Sequence, residues 1–261
     1  MKVVILCGGQ GTRIRDVASD IPKPMIPVGG YPILGHIMKY YARAGFKDFV
    51  LCLGHQGNKI RQFFMEYRSQ VSDFTIDFAK GGEVTFHNYH EDLDWKVTLV
   101  ETGLDTLTGS RVKKIESYIG DDENFMLTYG DGVGDIDLKG LESFHNGHGR
   151  VMTVSGVRPP GRFGEIGHDQ NGQVTEFNEK PQATGGRISG GFFVCKRELF
   201  SYLDGNRHDE TMEAEPMRRI ANENEMMIFA HNGFWQCMDT NRDYLLLNDL
   251  VASGKAPWIT E

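Results

Sequence analysis

The chain begins Met1-Lys2-Val3-Val4-Ile5-Leu6-Cys7-Gly8-Gly9-Gln10-Gly11-Thr12-Arg13, and this stretch decides the fold. Lys2–Leu6 is a short apolar run of strand length, and it stops at three closely spaced glycines. Glycines let the backbone approach a ligand closely, and their N–H groups can line an anion nest. Arg13, directly behind, adds a fixed positive charge with bidentate reach to phosphate. Two familiar phosphate loops are excluded. No Gly-Lys-Ser/Thr follows, as a Walker loop requires, and Ile14 stands where a dinucleotide fingerprint wants Gly or Ala. Because the run meets Gly8-Gly9 and not a small-residue cleavage site, it reads as a first strand, not a signal peptide. The cytoplasm is the expected location.

Outward from this strand, apolar runs alternate with helical patterns. Pro32 opens a helix with Ile33, Leu34, Ile37, Met38, Tyr41 and Ala44 on one face and Gly45 as its stop. Asp48–Leu53 reads as a buried strand and residues 57–68 as a helix. Phe74–Phe78 and Val97–Glu101 read as strands, Thr108–Tyr118 as a helix, and Asn124–Thr128 as a strand entering Tyr129-Gly130-Asp131-Gly132. Such alternation means crossover units and a mostly parallel sheet. The second half is richer in strand signals: Val151–Val157, Gly164–Ile166, Gln173–Phe177 and Gly190–Cys195, with a turn over His168–Gly172. Helices are expected over residues 210–224 and 241–252. The organisation expected is one α/β domain with a β-rich extension, residues 1–150 and 151–261 forming its two halves.

Composition narrows the class. The 261 residues are 39% hydrophobic and 25% charged, ordinary for a soluble protein with a sizeable core. No apolar run reaches the ~18 residues that span a bilayer. A net charge of −8 argues against general nucleic-acid binding while leaving room for a local cationic site. Cys7, Cys52, Cys195 and Cys237 lack C-x-x-C spacing and read as buried free thiols.

Several side chains carry chemistry. In Pro22-Lys23-Pro24-Met25, prolines on both sides stiffen the loop and hold one lysine in place, a second cationic arm for the phosphate chain. Asp131 follows a buried strand, where ligands sit in open α/β sheets, and Asp239 ends another apolar stretch. Two carboxylates from distant segments could hold one Mg²⁺, which takes oxygen ligands and keeps several waters. Lys180, before Pro181, could meet a second phosphate, and Glu179 could accept from hydroxyls. Arg111 is a weaker anion candidate. His87-x-x-His90 and His145-x-x-His148 have metal-like spacing but no third or fourth ligand nearby, and the acidic stretch Glu91–Asp94 reads as a solvated loop. No Gly-x-Ser-x-Gly elbow and no Cys/His pairing supports acyl transfer.

Taken together, Gly8–Arg13 and Pro22–Met25 resemble the signature of sugar-phosphate nucleotidyltransferases. Tyr129–Val133, Pro159–Gly164, Glu179–Pro181, Gly190–Val194, Glu215-Pro216, Gly233–Thr240 and Gly254–Trp258 are similar to the glucose-1-phosphate cytidylyltransferase branch, nearly end to end. The resemblance implies a Rossmann-like, GT-A-like α/β fold with a mostly parallel central sheet and a β-rich sugar-binding and oligomerisation extension. It implies CTP and a sugar 1-phosphate as substrates, Mg²⁺ as cofactor, and a closed homo-oligomer, often a hexamer, with neither nucleic acid nor membrane as partner. On the family pattern, Leu6, Gly8, Gly9, Gly11, Thr12, Arg13, Lys23, Thr106, Arg111 and Gly130 match nucleotide contacts. Asp131 and Asp239 match the metal ligands, and Glu179, Lys180, Ser189 and Gly190 fall in the sugar-phosphate site. Arg13, Lys23, Asp131 and Asp239 form the catalytic set.

The chain departs from the pattern on the acceptor side. Ser189 stands for a common Asn, Met212 for the Trp of Trp-x-x-Glu-Pro, and Gly35 for a Trp near the start of the second helix. Such changes in hydrogen bonding and volume can move acceptor specificity. A cytidylyltransferase for another phosphorylated sugar, polyol or small metabolite is therefore the nearest alternative. A nicotinamide-dependent dehydrogenase is disfavoured by Ile14, and a non-catalytic nucleotide-binding homologue by the intact Lys23, Asp131, Lys180 and Asp239.

Overall fold

Seven apolar segments assemble into one mixed sheet. They are β1 (Val3–Leu6), β2 (Asp48–Leu53), β3 (Lys96–Glu101), β4 (Asn124–Tyr129), β5 (Met152–Val157), β6 (Ile188–Lys196) and β7 (Met226–Ala230). A computed structural model describes residues 1–11, 14, 20–87, 94–159, 165–168, 173–178 and 186–259. The strand order is β7-β5-β6-β4-β1-β2-β3. Strands β3, β2, β1 and β4 run parallel, as do β5 and β7, and β6 is antiparallel to both of its neighbours.

The central strands are apolar throughout because both faces are covered, as parallel sheets require. Val3 and Ile5 face one core, and Val4 and Leu6 face the other. The first core is closed by helices α1 (Ile33–Arg43), α5 (Leu138–His148) and α7 (Asn241–Ala252), with Trp258 against them. The second is closed by α3 (Thr108–Lys114), α4 (Glu116–Ile119) and α6 (Glu215–Asn222). Helix α2 (Gly57–Val71) buries only Gly57 and Ile60. No helix among the described residues is long and apolar enough to cross a membrane.

The expected elements recur with instructive differences. The helix expected over Thr108–Tyr118 divides at Ile115, which turns back onto Val112 (3.2 Å) so that Ile115 and Ile119 both reach the core. The helix expected from residue 210 starts at Glu215, where Pro216 can occupy the first turn without forfeiting a hydrogen bond. Phe74–Asp77 lies outside the central sheet, in an exposed hairpin with Glu83–Phe86, and Asp77 caps the turn by accepting from Ala79 and Lys80 N–H. The second half is strand-rich as expected, yet β5, β6 and β7 lengthen the central sheet. Apart from these, the hairpin Glu165–His168/Val174–Asn178 pairs only within itself. The turn expected over 168–172 and the acidic loop expected over Glu91–Asp94 lie largely outside the described residues. Helix α5, strand β7 and the strand Glu83–Phe86 had no counterpart in the sequence reading.

The histidine pair on α5 is structural. His145 Nδ1 and His148 Nε2 both bond Thr153 Oγ1, at 2.8 and 2.7 Å. Burial, then His148 and Lys196, depress His145 to about 4, so it is neutral in the fold. The unfolded chain therefore binds an extra proton between about pH 4 and 6.5, and stability contributed by this site falls as pH drops through that window. Replacing His145 with Gln flattens the pH dependence of urea midpoints between pH 4 and 6.5. An unchanged slope would contradict the assignment.

Candidate active site

The parallel strands β1 and β4 end side by side at the carboxyl end of the sheet, and the glycine loop follows β1 there, bonded toward the end of β2. A cleft of about 370 Å³ opens there, lined among others by Leu6, Gly8, Gly9, Gly11, Lys23, Thr106, Arg111, Gly130, Asp131 and Asp239. The main chain fixes its floor. Gly130 N–H donates to Leu6 carbonyl (3.1 Å), Cys7 N–H to Cys52 carbonyl (3.0 Å) and His55 N–H to Gly8 carbonyl (3.2 Å).

Lys23 enters on a single 3₁₀ turn, Lys23–Met25, between its two prolines. Its Nζ lies 2.6 Å from Asp131 Oδ2 and 2.6 Å from Asp239 Oδ1. Burial alone would lower the lysine's pKa. Asp131, and then Asp239, outweigh it and hold the ammonium above its ordinary value, so it stays charged.

Asp239 arrives by backbone pairing over a long sequence separation. Gly132–Gly134, directly after Asp131, pairs antiparallel with Trp235–Cys237, and Met238 N–H donates to Asp131 carbonyl (2.9 Å). Helix α7 starts just beyond, with a capping box in which Thr240 and Asp243 exchange hydrogen bonds. Asp243 also accepts from Asp239 N–H (3.1 Å), fixing that residue's backbone.

The two carboxylates form an oxygen-only donor pair already arranged around a positive charge, which fits a hard divalent cation. Among the described residues no group of three or more His, Cys, Asp or Glu is placed to hold a metal. A pair of carboxylates leaves a divalent cation's other positions to further oxygen donors and water.

Arg111 is 4% exposed at the base of the cleft, and its guanidinium bonds neutral acceptors. It donates to Leu53 carbonyl (3.0 Å), Thr102 Oγ1 (2.7 Å), Gly8 carbonyl (3.0 Å) and Leu104 carbonyl (3.2 Å). It thereby ties the glycine loop to the ends of β2 and β3 while placing positive charge under the cleft. A Cβ on Gly8 would sit 2.2 Å from Arg111 Nη1 and 2.3 Å from Cζ. Since Arg111 is held on several sides, it cannot simply swing away. Gly8→Ala costs about 1–3 kcal/mol of stability. Denaturant melts check this, and a midpoint matching wild type would contradict it.

Of the remaining expected site residues, Thr12, Arg13, Glu179 and Lys180 lie outside the described residues. Ser189 is exposed on β6 and accepts from Gly191 N–H (3.3 Å); neither Ser189 nor Gly190 is among the residues lining the cleft. Met212 is fully buried in the second core, so it cannot touch an acceptor directly. At Gly35 the ring of Tyr31 fills the space above the helix, 2.2 Å from where a Cβ would stand.

Sequence reasoning passed over Thr108 and the side chain of Tyr129, which line the cleft, and Glu213 beside them. The Tyr129 hydroxyl donates to Glu213 Oε1, and Thr108 Oγ1 donates to Glu213 Oε2 (2.6 Å). Burial, reinforced by the Glu213 charge, pushes the Tyr129 phenol well up, so it remains protonated and can donate. The only sequence signal was Tyr129's place just before Gly130-Asp131.

A parallel-sheet edge with a glycine-lined cleft, a buried cation and two converging carboxylates defines an enzyme that handles phosphate esters. The Nucleotidyl transferase family matches residues 2–253, and the chain belongs to that family. It is 45% identical over 260 residues to the glucose-1-phosphate cytidylyltransferase of Salmonella typhi, covering 100% of this chain and 99% of that one. Its fold matches HddC from Yersinia pseudotuberculosis with a TM-score of 0.68 at 21% identity, covering 96% and 99% of the two chains. It also matches the inositol-1-phosphate CTP transferase from T. maritima, with a TM-score of 0.63 at 15% identity and 95% coverage of both.

Proposed function

We propose that this chain transfers the cytidylyl group of CTP to α-D-glucose 1-phosphate, giving CDP-glucose and pyrophosphate. The observation that carries the chemistry is Lys23 held 2.6 Å from both Asp131 and Asp239 on the floor of the glycine-lined cleft. The full-length likeness to the Salmonella typhi enzyme supports the choice of CTP and glucose 1-phosphate.

An oxygen of the sugar phosphate attacks the α-phosphorus of CTP in line. The new P–O bond forms as the bond to the β-bridging oxygen breaks, and pyrophosphate leaves with that electron pair. The nucleophile is already an anion, so no general base is needed, and none of the cleft residues is asked to move a proton. The barrier lies in bringing anions together and holding them in line. Main-chain N–H groups of Gly8, Gly9 and Gly11 orient the triphosphate, Arg111 braces their loop, and Lys23 supplies fixed positive charge. Arg13 and Lys180 are assigned as further cations on the two phosphates. Asp131 and Asp239 would hold Mg²⁺, which when bound would supply Lewis-acid stabilisation of the developing phosphate charge. We place the enzyme in the cytoplasm as a closed homo-oligomer.

Pyrophosphate release tests the assignment, crossing CTP, UTP, dTTP, ATP and GTP with sugar 1-phosphates and other phosphorylated acceptors. Turnover confined to CTP with glucose 1-phosphate is expected. CTP turnover with a different acceptor would retain the mechanism and trace the change to the acceptor side, beginning with Ser189. No turnover with any pair would remove the proposal.

A further inference from the structure

Glu213 is a carboxylate placed beside the cleft and outside its lining, with no ammonium or guanidinium bonded to it among the described residues. Its two oxygens accept from Tyr129 and Thr108, both of which line the cleft, yet Glu213 itself is exposed. A carboxylate offers about four lone-pair positions, so two accepted bonds leave capacity for further hydroxyl donors.

The segment carrying it is anchored to the nucleotide half. Leu107 N–H donates to His208 carbonyl (2.8 Å), Ser110 N–H to Glu210 carbonyl (3.2 Å) and Met212 N–H to Thr108 Oγ1 (3.0 Å). The buried Met212 side chain pins the residue immediately before Glu213. Tyr129 meanwhile faces the other half. Gly191, at φ +75°, brings β6 so close that a Cβ there would lie 2.5 Å from the Tyr129 ring, and Phe193 meets that ring edge-on. The Glu213–Tyr129 pair thus stands between the nucleotide wall and the strand carrying Ser189 and Gly190.

We propose that Glu213 is a specificity-determining residue: its carboxylate, held by Tyr129 and Thr108, accepts hydrogen bonds from hydroxyls of the sugar acceptor. This rests on the cytidylyltransferase reading above and extends it to the neutral, polyhydroxyl part of the second substrate. An ionised carboxylate can only accept, so it favours acceptors that present a hydroxyl donor at that position over analogues that lack it.

The test compares wild type with Glu213→Gln and Tyr129→Phe, using CTP with glucose 1-phosphate and its monodeoxy and monofluoro analogues. The expected result is a tenfold or greater rise in KM for glucose 1-phosphate in Glu213→Gln, with KM for CTP within twofold of wild type. At least one deoxy analogue should be disfavoured by wild type and lose that penalty in the variant. Tyr129→Phe should move the same parameter by a smaller factor. Absence of wild-type turnover removes the underlying reading. Wild-type turnover with unchanged acceptor discrimination in Glu213→Gln, or a rise confined to the CTP KM, overturns the Glu213 assignment alone. Thermal midpoints of both variants, expected to match wild type, separate a loss of fold from a loss of recognition.

Discussion

Asp131→Asn abolishes turnover, by about a thousandfold or more, while leaving the fold in place. The residue is half-buried at the end of β4, and its backbone carbonyl, unaffected by the substitution, accepts from Met238 N–H. What is lost is one negative charge and one hard oxygen donor from the Asp131–Asp239 pair around Lys23. Removing a single preorganised electrostatic contact to a transition state typically costs about 10²–10³ in rate. Here the same change also weakens cation binding, so the expected loss is at or beyond the upper end. Pyrophosphate release measures the rate, and circular dichroism with thermal melting establishes that the fold remains. Turnover within tenfold of wild type would show that Asp131 does not hold the metal.

Lys23→Met has two expected effects of opposite sign. Activity falls by about a hundredfold or more, because a fixed cation on the phosphate chain is gone and the Met side chain cannot replace it. Affinity for a divalent cation in the absence of nucleotide rises, because Asp131 and Asp239 no longer share an ammonium at 2.6 Å from each. Two carboxylates relieved of that shared ammonium favour a cation that can enter beside them. Mn²⁺ binding followed by electron paramagnetic resonance reads the second effect without any turnover. A fall in Mn²⁺ affinity in Lys23→Met would contradict the view that lysine and metal compete for the same oxygens.

The central sheet was legible because its strands are continuous apolar runs ended by glycine or charged residues. Val3–Leu6 and Asp48–Leu53 bury both faces, and only a parallel, helix-covered sheet asks for that pattern. Helix α7 was equally legible, with Thr240 and Asp243 at its start and Gly254 beyond its end. Helix α5 was not, since Gly140 and Gly147 lower its helix propensity, its buried face is only Leu138, Leu141 and His145, and it packs against β5, β6 and β7. Strand β7 was hidden behind a helix that the sequence extended to residue 224. The Phe74–Phe78 run looked like a core strand because periodicity says nothing about which sheet a strand joins.

The site divides in the same way. The glycine loop, Lys23 and Asp131 could be read locally, because each follows a strand or sits in a stiffened turn. That Asp239 meets Asp131 could not be derived, because it depends on pairing Gly132–Gly134 with Trp235–Cys237 across about a hundred residues of chain. Arg111 was legible as a cation but not as a brace, since its acceptors are carbonyls whose positions only the fold sets. Glu213 had no signal at all: its meaning comes from Tyr129 and Thr108, neither of which is near it in sequence. Met212, a departure in the acceptor segment, proves to be a core residue one position away from the group that faces outward.

The most direct measurement is ³¹P NMR of the purified chain with CTP, glucose 1-phosphate and Mg²⁺. The account predicts loss of the CTP resonances and the growth of pyrophosphate and of paired diphosphate-ester resonances in equal amounts, with none of this when Mg²⁺ is withheld. Release of orthophosphate in place of pyrophosphate, or CTP persisting unchanged beside glucose 1-phosphate, would contradict it.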